Sequence, residues 1–158
     1  MTLSIVVAMT RDGVIGDKGR MPWHISEETE HFKNLTMGGT VIMGKSTWLS
    51  IPEKYRPLSG RVNIIVSSSL DDQEGATVCA TVSYAMVKAA HIGKGETFCM
   101  GGAKLYGAML PMADTLHISW IDGSYRGDAH FPDVDWSQWE LKQTLRHTEF
   151  TYERYLRK

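Results

Sequence analysis

The sequence predicts an α/β fold, a single domain with a mostly parallel eight-stranded sheet, about four flanking helices and a C-terminal antiparallel hairpin. The length of 158 residues suits one domain with a hydrophobic core. Short β-rich runs alternate with helix-like runs, an alternation typical of parallel sheets covered by helices on both faces. No linker, repeat or low-complexity stretch divides the chain, so we expect one domain over residues 1–158.

Eight runs are predicted to be strands. The first, Leu3–Met9, is nearly continuous in apolar residues, as expected for a strand buried on both faces. The last two, Trp139–Leu145 and Phe150–Leu156, read as an antiparallel hairpin. In sheets of this kind ligands bind beyond the carboxyl ends of the strands. The other predicted strands are Thr40–Met43, Val62–Ser67, Thr77–Ala80, Thr97–Met100 and Thr115–Ile121.

Four helices are predicted between these strands. In one of them Val82, Ala85, Met86 and Ala89 share a face at helical spacing. Residues 10–25 form a long polar loop with several glycines, and loops of that length are commonly functional or disordered. The predicted helices are Ser26–Thr36, Ser46–Ser50, Val82–His91 and Ala103–Met109.

The composition argues against several classes of function. Seventeen Lys and Arg residues balance 18 Asp and Glu residues, and the net charge of −1 does not favour nucleic acid or an anionic membrane as a partner. No apolar run approaches the length of a membrane span, and the N-terminus lacks the basic region of a signal peptide. The six histidines form no metal-binding motif, so no metal is expected.

The two cysteines indicate a reducing compartment. Cys79 and Cys99 have no CxxC spacing, and each lies in a strand-like run. We therefore expect buried free thiols and a cytoplasmic location.

One carboxylate is unusually placed. Ser26 is predicted to cap a helix on which Ile25, Phe32 and Leu35 define an apolar stripe. Glu28 falls on the same stripe, and a carboxylate that faces a core or cleft is costly unless something satisfies it. Two interpretations stay open from this helix alone, a buried ion pair and a carboxylate that binds a ligand.

A phosphate-loop pattern in the chain is misleading. Residues 39–46 match the nucleotide-binding pattern letter for letter, but the middle of the match is the predicted strand Thr40–Met43. A strand cannot also be the flexible loop that surrounds phosphates, so we reject a nucleotide triphosphatase. The remaining segment, Gly44–Thr47, is a strand-to-helix turn with a cation and hydroxyl groups, which suits an anion.

Two further segments have both a functional and a plain structural interpretation. In Thr97–Tyr106 a strand runs into Gly101 and Gly102 and then a helix, which permits close approach of a phosphate but is common in turns. In Pro57–Ser68, Arg61 opens a strand, where it could hold a carboxylate or form a surface salt bridge.

Taken in order, these segments resemble the dihydrofolate reductase family, of the bacterial kind, from Leu3 to about Asp133. The resemblance rests on several short pieces whose order and spacing are specific together. The matching pieces are Val14–Gly16, Met21–Trp23, Glu28 with Phe32–Lys33, Val41–Gly44, Thr47–Trp48, Pro57–Arg61 with Asn63–Ile64, Met100–Ala103 with Tyr106, and Gly127–Asp128 with His130–Pro132.

The resemblance implies reduction of 7,8-dihydrofolate to 5,6,7,8-tetrahydrofolate, with hydride transfer from NADPH to pterin C6 and protonation at N5. It assigns Glu28 to the pterin 2-amino group and N3, Ser119 to the support of that carboxylate, and Trp23 and Met21 to the catalytic region. Arg61 should bind the carboxylate of the glutamate tail. The implied lining of the pterin and aminobenzoyl pocket is Val6, Ala8, Phe32, Ile51, Leu58 and Met100.

The resemblance also implies an NADPH site. Val14–Met21 should form a mobile lid over the nicotinamide, including Ile15, Gly16, Gly19 and Arg20, with Asp128 in a supporting loop. Gly101 and Gly102 should lie under the pyrophosphate and be joined by a cis peptide bond. Cofactor phosphates are assigned to Lys45, Ser46, Thr47 and Lys104, and the 2′-phosphate and adenosine to Ser67, Ser68 and Lys45. Further cofactor contacts are Ala8, Gly44, Ala103, Leu105 and Tyr106.

We expect a monomer that antifolate inhibitors bind. Some residues depart from the family pattern. Glu28 stands where bacterial members usually have aspartate, Thr29 replaces a large apolar residue, and Ala103 replaces a third glycine. The segment Pro52–Arg56 is longer than in many bacterial members, and the match after Asp133 is poor. Alternative hypotheses are an inactive pterin- or nucleotide-binding relative and the deaminase-linked reductase of ribosylated pyrimidines, whose substrate has no glutamate tail.

Overall fold

The β-rich runs form ten strands in the computed structural model, which describes residues 2–158. Eight strands make one sheet and the other two pair separately. The strands are β1 Leu3–Thr10, β2 Val14–Gly16, β3 Thr40–Gly44, β4 Val62–Val66, β5 Ala76–Cys79, β6 Thr97–Cys99, β7 Thr115–Ile121, β8 Ala129–His130, β9 Trp139–Arg146 and β10 Phe150–Arg157.

Four α-helices join the strands, as predicted. The helices are α1 Ser26–Thr36, α2 Lys45–Ser50, α3 Val82–Ile92 and α4 Ala103–Met109. Short 3-10 turns occur at Glu53–Tyr55, Leu110–Met112 and Trp136–Gln138.

The large sheet has the strand order β5-β4-β3-β6-β1-β7-β10-β9. The strands from β5 to β7 pair in parallel, and β10 pairs antiparallel with both β7 and β9. The predicted fold class, a mostly parallel eight-stranded sheet with a C-terminal antiparallel hairpin, is therefore confirmed. The parallel pairing brings the carboxyl ends of β3, β4 and β6 to one edge of the sheet.

Alternating side chains of the sheet face two different helix layers. On β1, Leu3, Ile5 and Val7 pack in the core beneath α3 and α4, whereas Val6 and Ala8 contact clusters formed with α1, α2 and the segment before α1. This is the two-residue period of a strand, applied to a sheet covered on both sides. We call these surfaces the α3/α4 face and the α1/α2 face.

The loop predicted over residues 10–25 contains a strand that the sequence analysis did not predict. Within it β2 pairs antiparallel with β8, and Val14 lies opposite His130. The partner strand is far away along the chain, so no local periodicity marks the pairing. The other helix and strand bounds differ from the predicted ones by about one residue at each end, a difference within the usual uncertainty of element boundaries.

The prediction that Ser26 caps α1 is wrong. The helix begins at Ser26, Ile25 occupies the N-cap position, and no side chain makes a capping hydrogen bond. The Ile25 carbonyl accepts from the backbone N–H groups of Glu28 and Thr29. Ile25 is buried and Ser26 is exposed, so packing of Ile25 sets the helix entry and turns the hydroxyl towards solvent.

The cysteines are free and buried, as predicted. Burial raises the pKa of the Cys99 thiol to about 12. Among residues 2–158, no helix combines the length and apolar character needed to cross a membrane. The same residues contain no group of three or more His, Cys, Asp or Glu side chains placed to hold a metal ion.

Candidate active site

Glu28 is a buried carboxylate without a cationic partner. It exposes 7% of its surface, whereas Glu27 and Glu30 on the same helix are exposed. Burial raises the pKa of Glu28 to about 7, and a hydrogen bond from the Ser119 hydroxyl acts in the opposite direction. None of the ion pairs formed within residues 2–158 includes Glu28. The interpretation as a buried ion pair is therefore wrong, and the carboxylate is available to a ligand.

The position of Ser119 follows from strand register. On β7 it lies opposite Ala8 of β1 on one side and Tyr152 of β10 on the other. Residues directly opposite in neighbouring strands share a face, and here that face is the one beneath α1. Helical spacing brings Glu28 to the same face, so the carboxylate and hydroxyl meet between helix and sheet.

The apolar residues predicted to line the substrate pocket are brought together. Five of the six belong to or pack against one cluster between α1, α2 and the sheet, and the sixth, Ala8, packs beside it against Trp23 and Ile25. The cluster gives the Glu28 carboxylate a largely apolar surrounding, which is the cause of its raised pKa. The five are Val6, Phe32, Ile51, Leu58 and Met100.

Trp23 is buried close to this pocket, but Met21 is not. The Trp23 ring makes an edge contact with Tyr125 at 5.4 Å between ring centroids. Its indole Nε1 is buried and has no hydrogen-bond acceptor among residues 2–158, so this N–H is a free donor. Met21 is 54% exposed, and its assignment to the catalytic region stays a prediction.

Arg61 is held at the amino end of β4 by a polar network. The Asn63 side chain hydrogen bonds to the backbone of Leu58 and Arg61, and this organises the preceding turn. The Arg61 guanidinium donates to Thr36 Oγ1 at 3.1 Å and to the Ser59 carbonyl at 2.9 Å. Partial burial lowers the pKa of Arg61, although an arginine at such a site stays charged.

The location of Arg61 departs from the expectation that ligand residues cluster at the carboxyl ends of strands. Arg61 immediately precedes β4, so it lies at the opposite edge from Gly44 and Gly101. It is linked to the carboxyl end of α1 through Thr36. A ligand that contacts both Glu28 and Arg61 therefore lies along α1, across the face of the sheet.

The paired glycines lie at the carboxyl edge, next to the end of β3. The Gly44 N–H donates to the Gly101 carbonyl at 2.8 Å, and the peptide bond between Gly101 and Gly102 is cis, as the resemblance implies. Gly101 has φ +101°, and a Cβ there would lie 2.9 Å from the Tyr106 ring. Only glycine fits such a position, because the backbone is in the left-handed region and a side chain would clash with the buried Tyr106 ring.

Cations and hydroxyl groups surround this edge. Lys45 Nζ donates to Ser69 Oγ at 3.1 Å, which brings the start of α2 to the segment after β4. Ser67 Oγ accepts from the backbone N–H groups of Ser69 and Leu70, so it shapes the turn in which Ser68 is exposed. A Cβ at Gly102 would lie 3.7 Å from Thr47 Oγ1. Exposed side chains at the same edge are Lys45, Ser46 and Lys104.

The lid predicted over residues 14–21 is attached to a distant loop. Its strand β2 pairs with β8, and the Lys18 N–H donates to both carboxylate oxygens of Asp128 at 3.2 and 3.3 Å. Val14 is buried, Ile15 and Gly16 are partly buried, and Gly19 and Arg20 are exposed. Asp128 therefore holds the backbone of the predicted lid at Lys18, and closure of this segment over a cofactor stays a prediction.

Two predicted cofactor residues have their side chains in the core. Leu105 and Tyr106 belong to the cluster on the α3/α4 face, and the Tyr106 hydroxyl donates to the Val6 carbonyl at 2.8 Å. Their contact with a cofactor stays a prediction. The sequence analysis also missed Thr36 and Tyr125. Thr36 lies one helical turn after Phe32 and could have been found by periodicity, whereas nothing local marks Tyr125.

Comparisons with known sequences match the chain over nearly its whole length. The family model described as dihydrofolate reductase matches residues 2–157. The chain is 39% identical over 165 aligned positions to the dihydrofolate reductase of Neisseria gonorrhoeae. The alignment covers 100% of this chain and 99% of the relative. It is 36% identical over 148 positions to the dihydrofolate reductase of Bacillus subtilis, with 93% of this chain and 85% of the relative covered.

A solved structure agrees with these matches. The dihydrofolate reductase from Enterococcus faecalis, complexed with NADP(H) and RAB-propyl, superposes with a TM-score of 0.88 and 31% sequence identity. The superposition covers 99% of this chain and 96% of that one. The chain belongs to the dihydrofolate reductase family.

Proposed function

We propose that Glu28 carries the chemistry of this chain, which is the NADPH-dependent reduction of 7,8-dihydrofolate to 5,6,7,8-tetrahydrofolate. The observation that supports this role is a buried carboxylate with no cationic partner in an apolar pocket. Such a group accepts hydrogen bonds from the 2-amino group and N3 of a pterin, and these bonds replace the water that burial removed.

The Glu28 carboxylate also favours positive charge on the pterin ring. Protonation at N5 makes C6 electron-poor, and a negative charge in a low-dielectric pocket stabilises this form more than water does. Glu28 acts by electrostatic stabilisation and ring orientation, while Ser119 keeps the carboxylate in place. Arg61 holds the tail carboxylate at the far end of the pocket, so two charged contacts fix the substrate along α1.

The residues at the carboxyl edge fit NADPH. A Cβ at Gly102 would meet nothing nearer than Thr47 Oγ1 at 3.7 Å, so the backbone there is open, and Lys45 adds a cation beside the hydroxyl groups of Ser67 and Ser69. This donor set suits phosphate groups, including the 2′-phosphate that separates NADPH from NADH. When bound, NADPH supplies the hydride. The chain contributes orientation of the two rings, exclusion of water by the lid and charge stabilisation by Glu28.

The test compares Glu28→Gln with the matched control Glu30→Gln, an exposed acid on the same helix. Hydride transfer is measured at pH 7 from the loss of NADPH absorbance in a single turnover with dihydrofolate, with NADH as a second control. We expect Glu28→Gln to slow the step by about 10²- to 10⁴-fold and Glu30→Gln to leave it unchanged. The loss should be smaller at low pH, where the substrate arrives already protonated. Near-normal transfer by Glu28→Gln at pH 7 would refute the role of Glu28.

We also propose that the protein is a monomer in the cytoplasm that binds antifolates. The edge strand β9 carries Glu140, Lys142 and Arg146 in exposed positions, and charges on an edge strand oppose pairing with a second copy. The two free buried thiols support a reducing compartment. An inhibitor with N–H donors directed at Glu28 competes with dihydrofolate for the same carboxylate.

A further inference from the structure

Helix α1 contacts the sheet through a second polar side chain, one turn after Glu28. The His31 ring lies 4.4 Å from the Tyr152 ring, 5.5 Å from the His147 ring and 5.9 Å from the Phe150 ring, measured between centroids. Tyr152 lies directly opposite Ser119 across the β7–β10 pair. The two contacts of α1, Glu28 with Ser119 and His31 with Tyr152, therefore lie side by side on neighbouring strands.

A hydrogen-bonded chain continues from this contact and ends at the exposed Glu96 carboxylate. The Tyr152 hydroxyl lies 2.7 Å from His117 Nδ1, and His117 Nε2 lies 2.8 Å from Glu96 Oε2. Ser4 donates to the same Glu96 oxygen at 2.5 Å. The hydrogen bond from His117 lowers the pKa of Glu96, so this carboxylate is ionised and already engaged. We call the set of His31, Tyr152, His117 and Glu96 the histidine network.

His31 forms no ion pair within residues 2–158. Its Nε2 is buried and has no hydrogen-bond partner among residues 2–158. Burial lowers the pKa of His31, and the imidazoles of His147 and His117 act in the same direction. The Glu27 carboxylate accepts from the Thr148 N–H and lies 3.1 Å from His147 Nδ1. The titratable and charged groups around His31 are Glu27 and Glu28 on α1, His117 on β7, Tyr152 and Arg154 on β10, Glu96 before β6, and His147 in the hairpin turn.

We propose that neutral His31 is a positioning residue for Glu28, and that its protonation loosens α1 from β10 and moves the Glu28 carboxylate out of register with the pterin. This proposal rests on the proposed role of Glu28. A protonated His31 would be a partly buried cation beside two imidazoles, with Glu27 engaged by His147 and Thr148 and Glu96 engaged by His117. Because Glu28 and His31 share one rigid helix, movement at His31 is transmitted to Glu28.

The direction of the pH effect follows from these contacts. His31 is neutral above the ordinary histidine pKa of about 6.5, and the contact with Tyr152 is then intact. As the pH falls through the lowered pKa of His31, protonation opposes the packed arrangement. Hydride transfer should therefore rise from neutral pH as pterin N5 becomes protonated, and then fall in more acidic solution as α1 loosens.

The test measures single-turnover hydride transfer with enzyme saturated with NADPH, from about pH 5 to about pH 8. The variant is His31→Phe, which keeps the aromatic packing and removes the titration. The matched control is His91→Phe, an exposed histidine at the end of α3. At about pH 5 we expect His31→Phe to transfer hydride about tenfold faster than wild type, whereas at neutral pH the two rates should be similar. His91→Phe should show the same decline of the rate in acid as wild type.

A second measurement needs no variant. Side-chain NMR of the wild-type protein follows the His31 imidazole and the Glu28 carboxyl through the same pH range. Besides the titration of Glu28 itself near pH 7, we expect a second perturbation of Glu28 in step with His31. An unchanged acid decline in His31→Phe, the absence of any decline in wild type, or the absence of this second perturbation would each overturn the proposal. Failure of the proposed role of Glu28 has a different signature, since Glu28→Gln would then transfer hydride at a near-normal rate at pH 7.

Discussion

The two faces of the large sheet differ in the polarity of what they bury. On β7 the α3/α4 face receives Leu116, Ile118 and Trp120, while the α1/α2 face receives His117 and Ser119 from the same strand. Both faces exclude water to a similar extent. Only the α1/α2 face carries a buried carboxyl group, Glu28, and within residues 2–158 it has no cationic partner.

This difference separates stability from function. The α3/α4 face buries apolar side chains, and each gains free energy from removal from water and from close packing. The α1/α2 face gives up part of that gain, because Glu28 is a buried carboxylate and the buried His31 Nε2 has no hydrogen-bond partner within residues 2–158. Substitutions on the first face should therefore change stability, and substitutions on the second should change activity and the pH dependence of stability.

The largest expected effect on stability is on the α3/α4 face. Ile118→Ala removes a side chain that is fully buried, and we expect a loss of about 4 kcal/mol in the free energy of unfolding. Urea unfolding of the ligand-free protein measures it, with Leu141→Ala, 48% exposed, as the control. The folded fraction should keep its hydride-transfer rate at neutral pH. A large drop in that rate would break the separation between the two faces.

A smaller effect on the free energy of unfolding is expected for Glu28→Gln. At high pH this variant should be more stable than wild type. The pKa of Glu28 is about 7 in the folded chain and 4.5 in the unfolded chain, so the folded state binds the proton more tightly. Glu28 therefore destabilises the ligand-free protein progressively as the pH rises from about 4.5 to about 7, by about 3 kcal/mol in all. Glu28→Gln has no carboxyl group at this position, so the variant should not lose this stability as the pH rises.

The measurement for Glu28→Gln is the difference between wild type and variant in urea unfolding at several pH values. This difference isolates Glu28, because His31 titrates in both proteins. Glu30→Gln should follow wild type throughout, since Glu30 is exposed. A stability difference that does not depend on pH would mean that Glu28 is not the titrating group.

The smallest effect is expected for Ser119→Ala. The Ser119 hydroxyl lowers the pKa of Glu28, so its removal should raise that pKa above about 7. The change corresponds to the loss of one hydrogen bond to a charged group, about 1 to 2 kcal/mol, or about one pKa unit. NMR titration of the Glu28 side-chain carboxyl gives the value directly. Ser137→Ala, an exposed serine remote from α1, is the control and should leave the titration unchanged.

Local patterns were enough to predict most of the fold. The two-residue period of strands and the 3.6-residue period of helices are properties of short segments, so all eight strands of the large sheet and all four helices were found from the sequence. The same periodicity placed Glu28 on the buried stripe of α1. The failures involve distant partners. Packing of Ile25 displaced the predicted cap at Ser26, and pairing with β8 created β2 inside a predicted loop.

The sequence by itself determined the fold class, the apolar stripe that contains Glu28, and the ordered motifs that indicate the family. Only the tertiary structure decided that Glu28 has no cationic partner, that Arg61 lies at the opposite edge of the sheet from Gly101, and that His31 contacts Tyr152. The physical reason is distance along the chain. A pKa depends on burial and on charges brought together by folding, and the groups that surround Glu28 and His31 come from segments that share no local pattern.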